Sequence, residues 1–497
     1  MTTIPVTGQP AAEKLSLWRK IGYGLGDIYG GGSGVVVSFY YLVFLTDVIR
    51  ISPALAGTVI LISKFYDAVT DPFEGLIADR TRTRLGRRRP YLLAGIPLVF
   101  LSFFALFYPV TFDSETGRFL FVIATYLFFS TVVSIVMLNY NALQAELSLD
   151  YDERTSLSSA RIFFSTFASI LAALLPLEIV ALFDDVHTGY VVMGLFFGVF
   201  FALPFIATVL STRERAAFQQ PPEPFDWRIF LAPFRVRTFV FTLMMYLLAF
   251  VAIDTVSSIV VYFMKNYLGR GDEASFVSGT LLVAQVLSLP FYVWLSRRTD
   301  KRTGYILGAA LWMVTMLFSF LITPAAPGWA VYVFAVVVGL ATGGIVIMIY
   351  AIFPDIPDVD ELESGRRREG TYSALFTFMR KASSAFAIFF VSNGLALAGY
   401  LPPLEQVVDG ATRLVEQPQT ETFTLVLRLI FALVPILLIA VALLFAARFP
   451  LTAAAHRRLR AVLDVTRAGA TLGEQEREEA RALHRLLIGS KKESPRG

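Results

Sequence analysis

Ala78-Asp-Arg-Thr-Arg-Thr-Arg-Leu-Gly-Arg-Arg-Arg-Pro90 is echoed far along the chain by Leu295-Ser-Arg-Arg-Thr-Asp-Lys-Arg-Thr-Gly304. Each basic stretch follows a long apolar run and precedes another. Lys and Arg gather in the short loops of a membrane protein that stay on the cytoplasmic side. Arg366, Arg367 and Arg368 form a third such cluster, whereas the intervening loops near Asp113, Asp184 and Ala325 are nearly free of Lys and Arg. Alternate loops are therefore expected inside, and both termini with them.

Working outward from these loops, the chain reads as lipid-dissolved. Its 497 residues are 56% hydrophobic and 16% charged, with a mean hydropathy of +0.63. Apolar runs long enough to cross a hydrocarbon layer of about 30 Å are expected at 21–46, 53–78, 91–109, 119–146, 156–183, 189–211, 237–264, 274–296, 305–322, 329–353, 372–400 and 423–447. An outer-membrane barrel would alternate over about ten residues instead. A polar, Pro-rich stretch from Ser211 to Trp227, with Gln219-Gln-Pro-Pro-Glu-Pro224 at its centre, divides the runs into six and six. The two strongest basic loops occupy equivalent places in the halves, the mark of parallel repeats. The expected organisation is a cytoplasmic N-terminus at 1–20, six-helix bundles at 21–211 and 237–448 joined by a linker at 212–236, and a cytoplasmic tail at 449–497.

Several function classes drop out. The chain has no Cys, so disulfides, thiol catalysis and zinc-thiolate sites are excluded, and its three histidines are too scattered for a metal cluster. The net charge of +4 is gathered between spans and implies no nucleic acid. No cofactor is implied. The polar stretch up to Lys20 lacks the short apolar region and cleavage site of a removable signal, so the first span is expected to persist. In the tail, Leu483, Leu486 and Leu487 line one side of a charged segment, as in a helix lying on anionic headgroups; a merely solvated tail is the alternative.

Ionised side chains within spans are costly and mark pathways or partners. The second span carries Lys64, Asp67 and Asp71. The two carboxylates are four residues apart and stack on one helical face, where they repel. A bound Na⁺ or a proton relieves that repulsion; ion pairing with Lys64, and with Lys381 of span eleven, is the alternative. The first span holds Asp27 among Gly24, Gly26, Gly30, Gly31, Gly32 and Gly34, glycines that suit close helix packing. Asp254 is a further intramembrane acid, and Arg161 is placed to meet an anionic or hydroxyl-rich solute or to snorkel to the cytoplasmic face.

At Tyr23-Gly-Leu-Gly-Asp27, Phe65-Tyr-Asp-Ala-Val-Thr-Asp-Pro72, Asp79 to Pro90, Asn139-Tyr-Asn-Ala-Leu143, Asp152-Glu-Arg-Thr155, Pro354-Asp-Ile-Pro-Asp-Val-Asp360, Arg368-Glu-Gly370 and Arg380-Lys381 the chain resembles the glycoside-pentoside-hexuronide:cation symporters. This is the melibiose-permease group of the major facilitator superfamily. The resemblance runs over about residues 20 to 450. It implies an all-α, twelve-span, 6+6 major facilitator fold, multi-pass in the cytoplasmic membrane and monomeric.

The resemblance also assigns roles. Asp67 and Asp71, with Ser134 and Thr377, are expected to bind the coupling cation, Na⁺ or H⁺. Lys381 and Lys64 are expected to couple it to the solute. Asp27, Arg161, Asn141, Asp254 and Tyr350 are expected to line the solute site, and Asp79, Arg80, Arg87 and Arg88 to form a gating loop. The two sugar-binding aspartates of the melibiose permease correspond to Gly31 and Met137, and its stacking tryptophan to Asn141, which argues against a galactoside.

The expected activity is symport of a sugar, glycoside or hexuronide near the membrane midplane, with rocking halves. A lysolipid carrier of the same fold is the runner-up. A passive channel is a weaker rival. An intramembrane aspartyl protease is weaker still, since Gly24-Leu-Gly-Asp27 and Tyr66-Asp67 come in the wrong order for it. The expected partners are a small solute, a monovalent cation and membrane lipids.

Overall fold

The computed structural model describes residues 14–148, 151–214, 231–365, 368–468, 470 and 472–489. Most of the 212–236 linker, Arg366 and Arg367 lie outside these residues, as does the side chain of Asp79. The chain divides into two compact units, Met1–Glu223 with Leu401–Gln417, and Pro224–Tyr400 with Pro418–Gly497.

The first unit opens with α1 (Leu17–Leu25) and α2 (Asp27–Val36), which run on through two wide π-type turns, Val37–Tyr41 and Phe44–Val48. It continues with α3 (Pro53–Arg80), α4 (Arg89–Leu106), α5 (Glu115–Leu147), α6 (Tyr151–Ala181), α7 (Val186–Ala202) and α8 (Pro204–Ser211). The second contains α9 (Arg237–Tyr262), closed by the π-type turn Phe263–Tyr267, then α10 (Ala274–Arg298), α11 (Lys301–Phe318), α12 (Gly328–Ile352), α13 (Ile356–Ser364) and α14 (Glu369–Leu397). After a hairpin it resumes with α15 (Glu421–Arg428), α16 (Val434–Ala447) and two tail helices, α17 (Ala453–Arg467) and α18 (Glu474–Leu487).

The helices start where local chemistry supplies acceptors for orphan amides. Ser114, Asp185, Asp300, Thr420 and Thr452 each accept a hydrogen bond from the amide three residues on. Ten helices among the described residues are long and apolar enough to cross a membrane. The stretch from Leu17 to Val48 is broken into shorter pieces, and α3 carries Lys64, Asp67, Asp71 and Glu74; both are helical where spans were expected. Large apolar side chains such as Leu203, Leu287 and Leu444 are more than half exposed, which suits lipid rather than water. Inside each unit, close packing relies on small residues. A Cβ on Gly31 would sit 2.4 Å from the Ser165 carbonyl, so only glycine lets α2 meet α6 at this point.

The repeat is visible in the backbone. The first span closes with Ile49 N donating to Phe44 O (3.0 Å) and Ile51 N to Leu45 O (3.1 Å). The seventh closes in the same way, Leu268 N to Phe263 O (3.1 Å) and Arg270 N to Met264 O (2.8 Å).

Residues 401–417 form no simple loop. Strands β1 (Leu404–Val408) and β2 (Ala411–Val415) pair antiparallel across Asp409-Gly410. Both turn residues have positive φ, 53° and 82°, as a two-residue type I′ turn requires. The hairpin packs in the first unit: Thr412 N donates to Asp185 Oδ1 (3.0 Å) and Arg413 lies 2.8 Å from Asp184. Asp185 also accepts from the Thr188 hydroxyl (2.6 Å) and amide (2.8 Å). The Thr188 hydroxyl bond chiefly, with the amide bonds and His187 nearby, holds its carboxyl down at about 2. A lowered folded-state pKa means that its stabilisation is complete above the usual carboxylate range and is lost as pH falls through about 2. Asp185→Asn should therefore flatten the stability profile of the hairpin region between about pH 4 and 2. Hydrogen exchange of residues 404–415 across that range checks this, and identical wild-type and variant profiles would refute it.

The tail departs from its expected place on headgroups. Leu459, Val462, Leu463, Leu483 and Leu487 are buried within the second unit, and only Leu486 of the expected apolar side stays exposed. Leu487 O accepts from the Thr238 hydroxyl (2.6 Å) and Ile488 O from Arg237 N (3.2 Å). Protein, not lipid, covers this amphipathic segment, because α13 and the start of α9 supply both apolar surface and hydrogen bonds. The histidines are scattered, as expected: His187 in the first turn of α7, and His456 and His484 in the tail helices α17 and α18.

Candidate functional site

Three charged clusters occupy the helices of the first unit. In the first, Arg161 of α6 reaches α2 and α5. Its Nη2 lies 3.2 Å from Asp27 Oδ1 and its Nε 3.4 Å from Asp27 Oδ2. Nη2 also donates to Asn141 Oδ1 (2.6 Å) and Nη1 to Gln144 Oε1 (2.7 Å). The guanidinium carbon rests 4.9 Å from the ring centroid of Tyr140, itself stacked at 4.8 Å on Tyr23. The rings are locked by reciprocal bonds, Tyr23 OH to Tyr140 O (3.1 Å) and Tyr140 OH to Tyr23 O (2.8 Å). Arg161 thus pairs with Asp27 rather than snorkelling, and Asp27, Asn141 and Arg161 come together as expected. Gln144 and Tyr140 were missed as members, although Gln144 lies one turn beyond Tyr140 on the face that already held Asn141.

The second cluster surrounds Asp67, which is 1% exposed. Lys64 Nζ lies 3.1 Å from its Oδ2, and the Ser130 hydroxyl donates to Oδ1 (2.6 Å). The ion pair offered as the alternative to a cation site is therefore present. A Lys–carboxylate pair does not exclude a cation, because the two positive charges compete for one carboxylate. Asp71 follows one turn along α3. Ser134 is buried one turn along α5 from Ser130. Ser130 is the hydroxyl that meets Asp67, and nothing in its sequence context separated it from Ser134.

The third cluster orders the basic loop. Arg87 Nη2 lies 2.6 Å from Glu146 Oε1, and Arg88 Nε 3.5 Å from the same oxygen. The Glu214 carboxylate accepts from three successive amides, those of Arg87, Arg88 (2.7 Å) and Arg89 (2.8 Å), at the start of α4. Gly86, at φ 109°, makes room for it. Arg80 is exposed. The expected gating residues Arg87 and Arg88 are anchored by acids far away in sequence, and neither Glu146 nor Glu214 was foreseen.

The second unit holds a matching group. Arg380 of α14 grips Asp254 of α9 with both ends of its fork, Nη1 to Oδ2 at 2.5 Å and Nη2 to Oδ1 at 2.9 Å. Its guanidinium carbon lies 4.5 Å from the Phe250 ring centroid, and Tyr350 packs edge-on to Phe250 at 6.3 Å. Asp254 and Tyr350 are therefore near one another, through an arginine not foreseen as a site residue. Thr377 is exposed, its hydroxyl donating to Ser373 O (3.0 Å), and Lys381 follows one turn later on α14.

The acids of Pro354-Asp-Ile-Pro-Asp-Val-Asp360 each have their own cations. Asp355 lies 2.5 Å from Lys301. Asp360, fully buried, takes both ends of Arg368. Asp358, 1% exposed, meets His456 (3.3 Å), Arg460 (3.3 Å) and Arg467 (3.0 Å) of the tail. Arg467 also binds Glu361 at 2.5 Å, the contact that chiefly raises its pKa.

Residues 22–453 match the MFS/sugar transport protein family. The chain belongs to that family. It is 30% identical to the symporter YjmB of Bacillus subtilis, over 80% of its own length and 87% of that protein's. It is 22% identical to the sodium-dependent lysophosphatidylcholine symporter 1 of Gallus gallus, over 88% of its own length and 87% of that protein's. Among solved structures its fold is similar to a bacterial homologue of the iron transporter ferroportin in the inward-facing state. That match has a TM-score of 0.61 and 15% identity, over 87% of this chain and 99% of the other. The protein is thus an all-α, multi-pass membrane transporter and not an enzyme.

Proposed function

We propose that this MFS/sugar transport protein is a cation-coupled symporter of a small hydroxyl-rich solute in the cytoplasmic membrane, working by alternating access. The observation that carries this reading is Asp67: a carboxylate 1% exposed on a membrane helix, with the Lys64 ammonium and the Ser130 hydroxyl among its partners. An acid so placed is costly unless a cation attends it. A mobile monovalent cation displacing Lys64 would change the contacts of α3, and differential binding of this kind is what shifts a conformational equilibrium. Asp71 and Ser134 extend the cation site along α3 and α5; on α14, Thr377 keeps the cation-binding role and Lys381 the coupling role expected of them. Support comes from the symporter among the relatives and from the sugar-transport description of the family.

The solute is bound in this reading by Asp27, Arg161 and Asn141 in the first unit and by Asp254 and Tyr350 in the second. Purified protein in proteoliposomes, energised in turn by Na⁺, Li⁺ and pH gradients, tests the proposal. A radiolabelled glycoside panel should accumulate at least about tenfold with one gradient and not at all with a collapsed one. Uptake indifferent to every gradient would point to a facilitator, and accumulation of lysolipid alone would replace the sugar by the amphipathic solute.

A further inference from the structure

Each unit contains the same device on corresponding helices of the repeat. In the first, an Asp on the opening span, Asp27, neutralises an Arg on the fifth, Arg161. In the second, an Asp on the opening span, Asp254, neutralises an Arg on the fifth of that unit, Arg380. Both guanidinium planes lie over an aromatic ring, Tyr140 or Phe250. Both pairs leave polar or aromatic surface open beside them, Asn141 in one unit and the 52% exposed Tyr350 in the other.

We propose that Asp27 and Asp254 are charge filters, each on the solute-binding surface of its own unit, which make that surface accept uncharged polyols and refuse anions such as uronates. This rests on the sugar-symport reading above. A lone arginine in a half-buried site would attract any carboxylate or phosphate in fork-to-fork geometry. Here both forks are already occupied by an aspartate. Arg161 also donates to Asn141 and Gln144, which leaves one of its five N–H groups for a neutral hydroxyl. An incoming anion would meet a resident carboxylate at close range, in surroundings where like charges repel strongly. A sugar hydroxyl meets no such penalty, since it can donate to the aspartate and accept from the arginine at once. The duplication gives this meaning beyond one stabilising pair: the two pairs come from different pairs of residues, yet each cancels the charge of its arginine.

The test uses purified full-length protein with Na⁺ present, and follows the thermal shift caused by matched probes. The probes are the methyl β-glycosides of glucose and galactose and the uronates of the same two rings. Wild type should be stabilised by a neutral probe and at least tenfold less sensitively by its uronate. Asp27→Asn and Asp254→Asn each free an arginine and should reverse that order, whereas Asp27→Glu should keep it. Uronate stabilising wild type as well as the neutral ring would overturn the charge filter while leaving the sugar reading in place. Folded Asn variants with unchanged preference would do the same. Should an Asn variant not elute as a monodisperse peak, the wild-type comparison alone decides. Silence from all four probes in every variant would overturn the sugar reading and the filter with it.

Discussion

Asp67→Asn is expected to abolish gradient-driven accumulation while leaving the folded protein able to bind solute. At about 4 Å and an effective dielectric of about 20, a unit charge contributes about 4 kcal/mol to cation attraction, roughly a thousandfold in affinity. The loss is compounded by Lys64, whose ammonium now lies 3.1 Å from Asp67 and would be left as a net positive charge in the site. Accumulation in proteoliposomes should fall to the level of a collapsed gradient, and cation-induced thermal stabilisation should vanish with it. Asp67→Asn combined with Lys64→Ala should recover solute exchange across the membrane without recovering accumulation, since removing both charges restores neutrality but not a cation ligand. Accumulation by the single variant at the wild-type level would refute the cation role of Asp67.

Asp358→Ala should release the tail. This carboxylate is 1% exposed and gathers His456, Arg460 and Arg467 onto α13. Removing one member of a buried ionic group costs about 3–5 kcal/mol. Arg460 is about half exposed and Arg467 keeps Glu361, so both can recover part of that cost, and about 2–3 kcal/mol is expected. The melting temperature should fall by several degrees, and trypsin should cut within 453–487, where the arginines are exposed but held in helical backbone that a protease must first unwind. A variant with wild-type melting and wild-type tryptic fragments would show that the apolar contacts of Leu459, Leu483 and Leu487 hold the tail unaided.

Most of the fold was legible because burial in lipid acts on consecutive residues. Hydropathy, basic loops and the repeat of Ala78–Pro90 in Leu295–Gly304 needed no knowledge of which helix touches which. The Asp409-Gly410 hairpin was legible too but overlooked, since the Asp-Gly pair between short extended runs is a local turn signal. The tail was misplaced for a physical reason: an amphipathic helix declares that it has an apolar face, not what covers it.

The candidate site divides in the same way. Asp27, Asp67, Asp254 and Arg161 stood out because an ionisable residue in an apolar run is conspicuous by itself. Their partners did not. Arg380 lies 126 positions from Asp254, and Arg161 134 from Asp27.

By itself the sequence determined that this chain is a helical, multi-pass membrane transporter, and which apolar runs carry charge, because those properties depend on neighbours along the chain and on the cost of burying charge in hydrocarbon. Only the tertiary structure decided that Arg161 and Arg380 are each neutralised, that Ser130 donates to Asp67, and that α13 holds the tail. Ion pairs form between helix faces that packing turns toward one another, and those faces are chosen by contacts between residues a hundred or more positions apart.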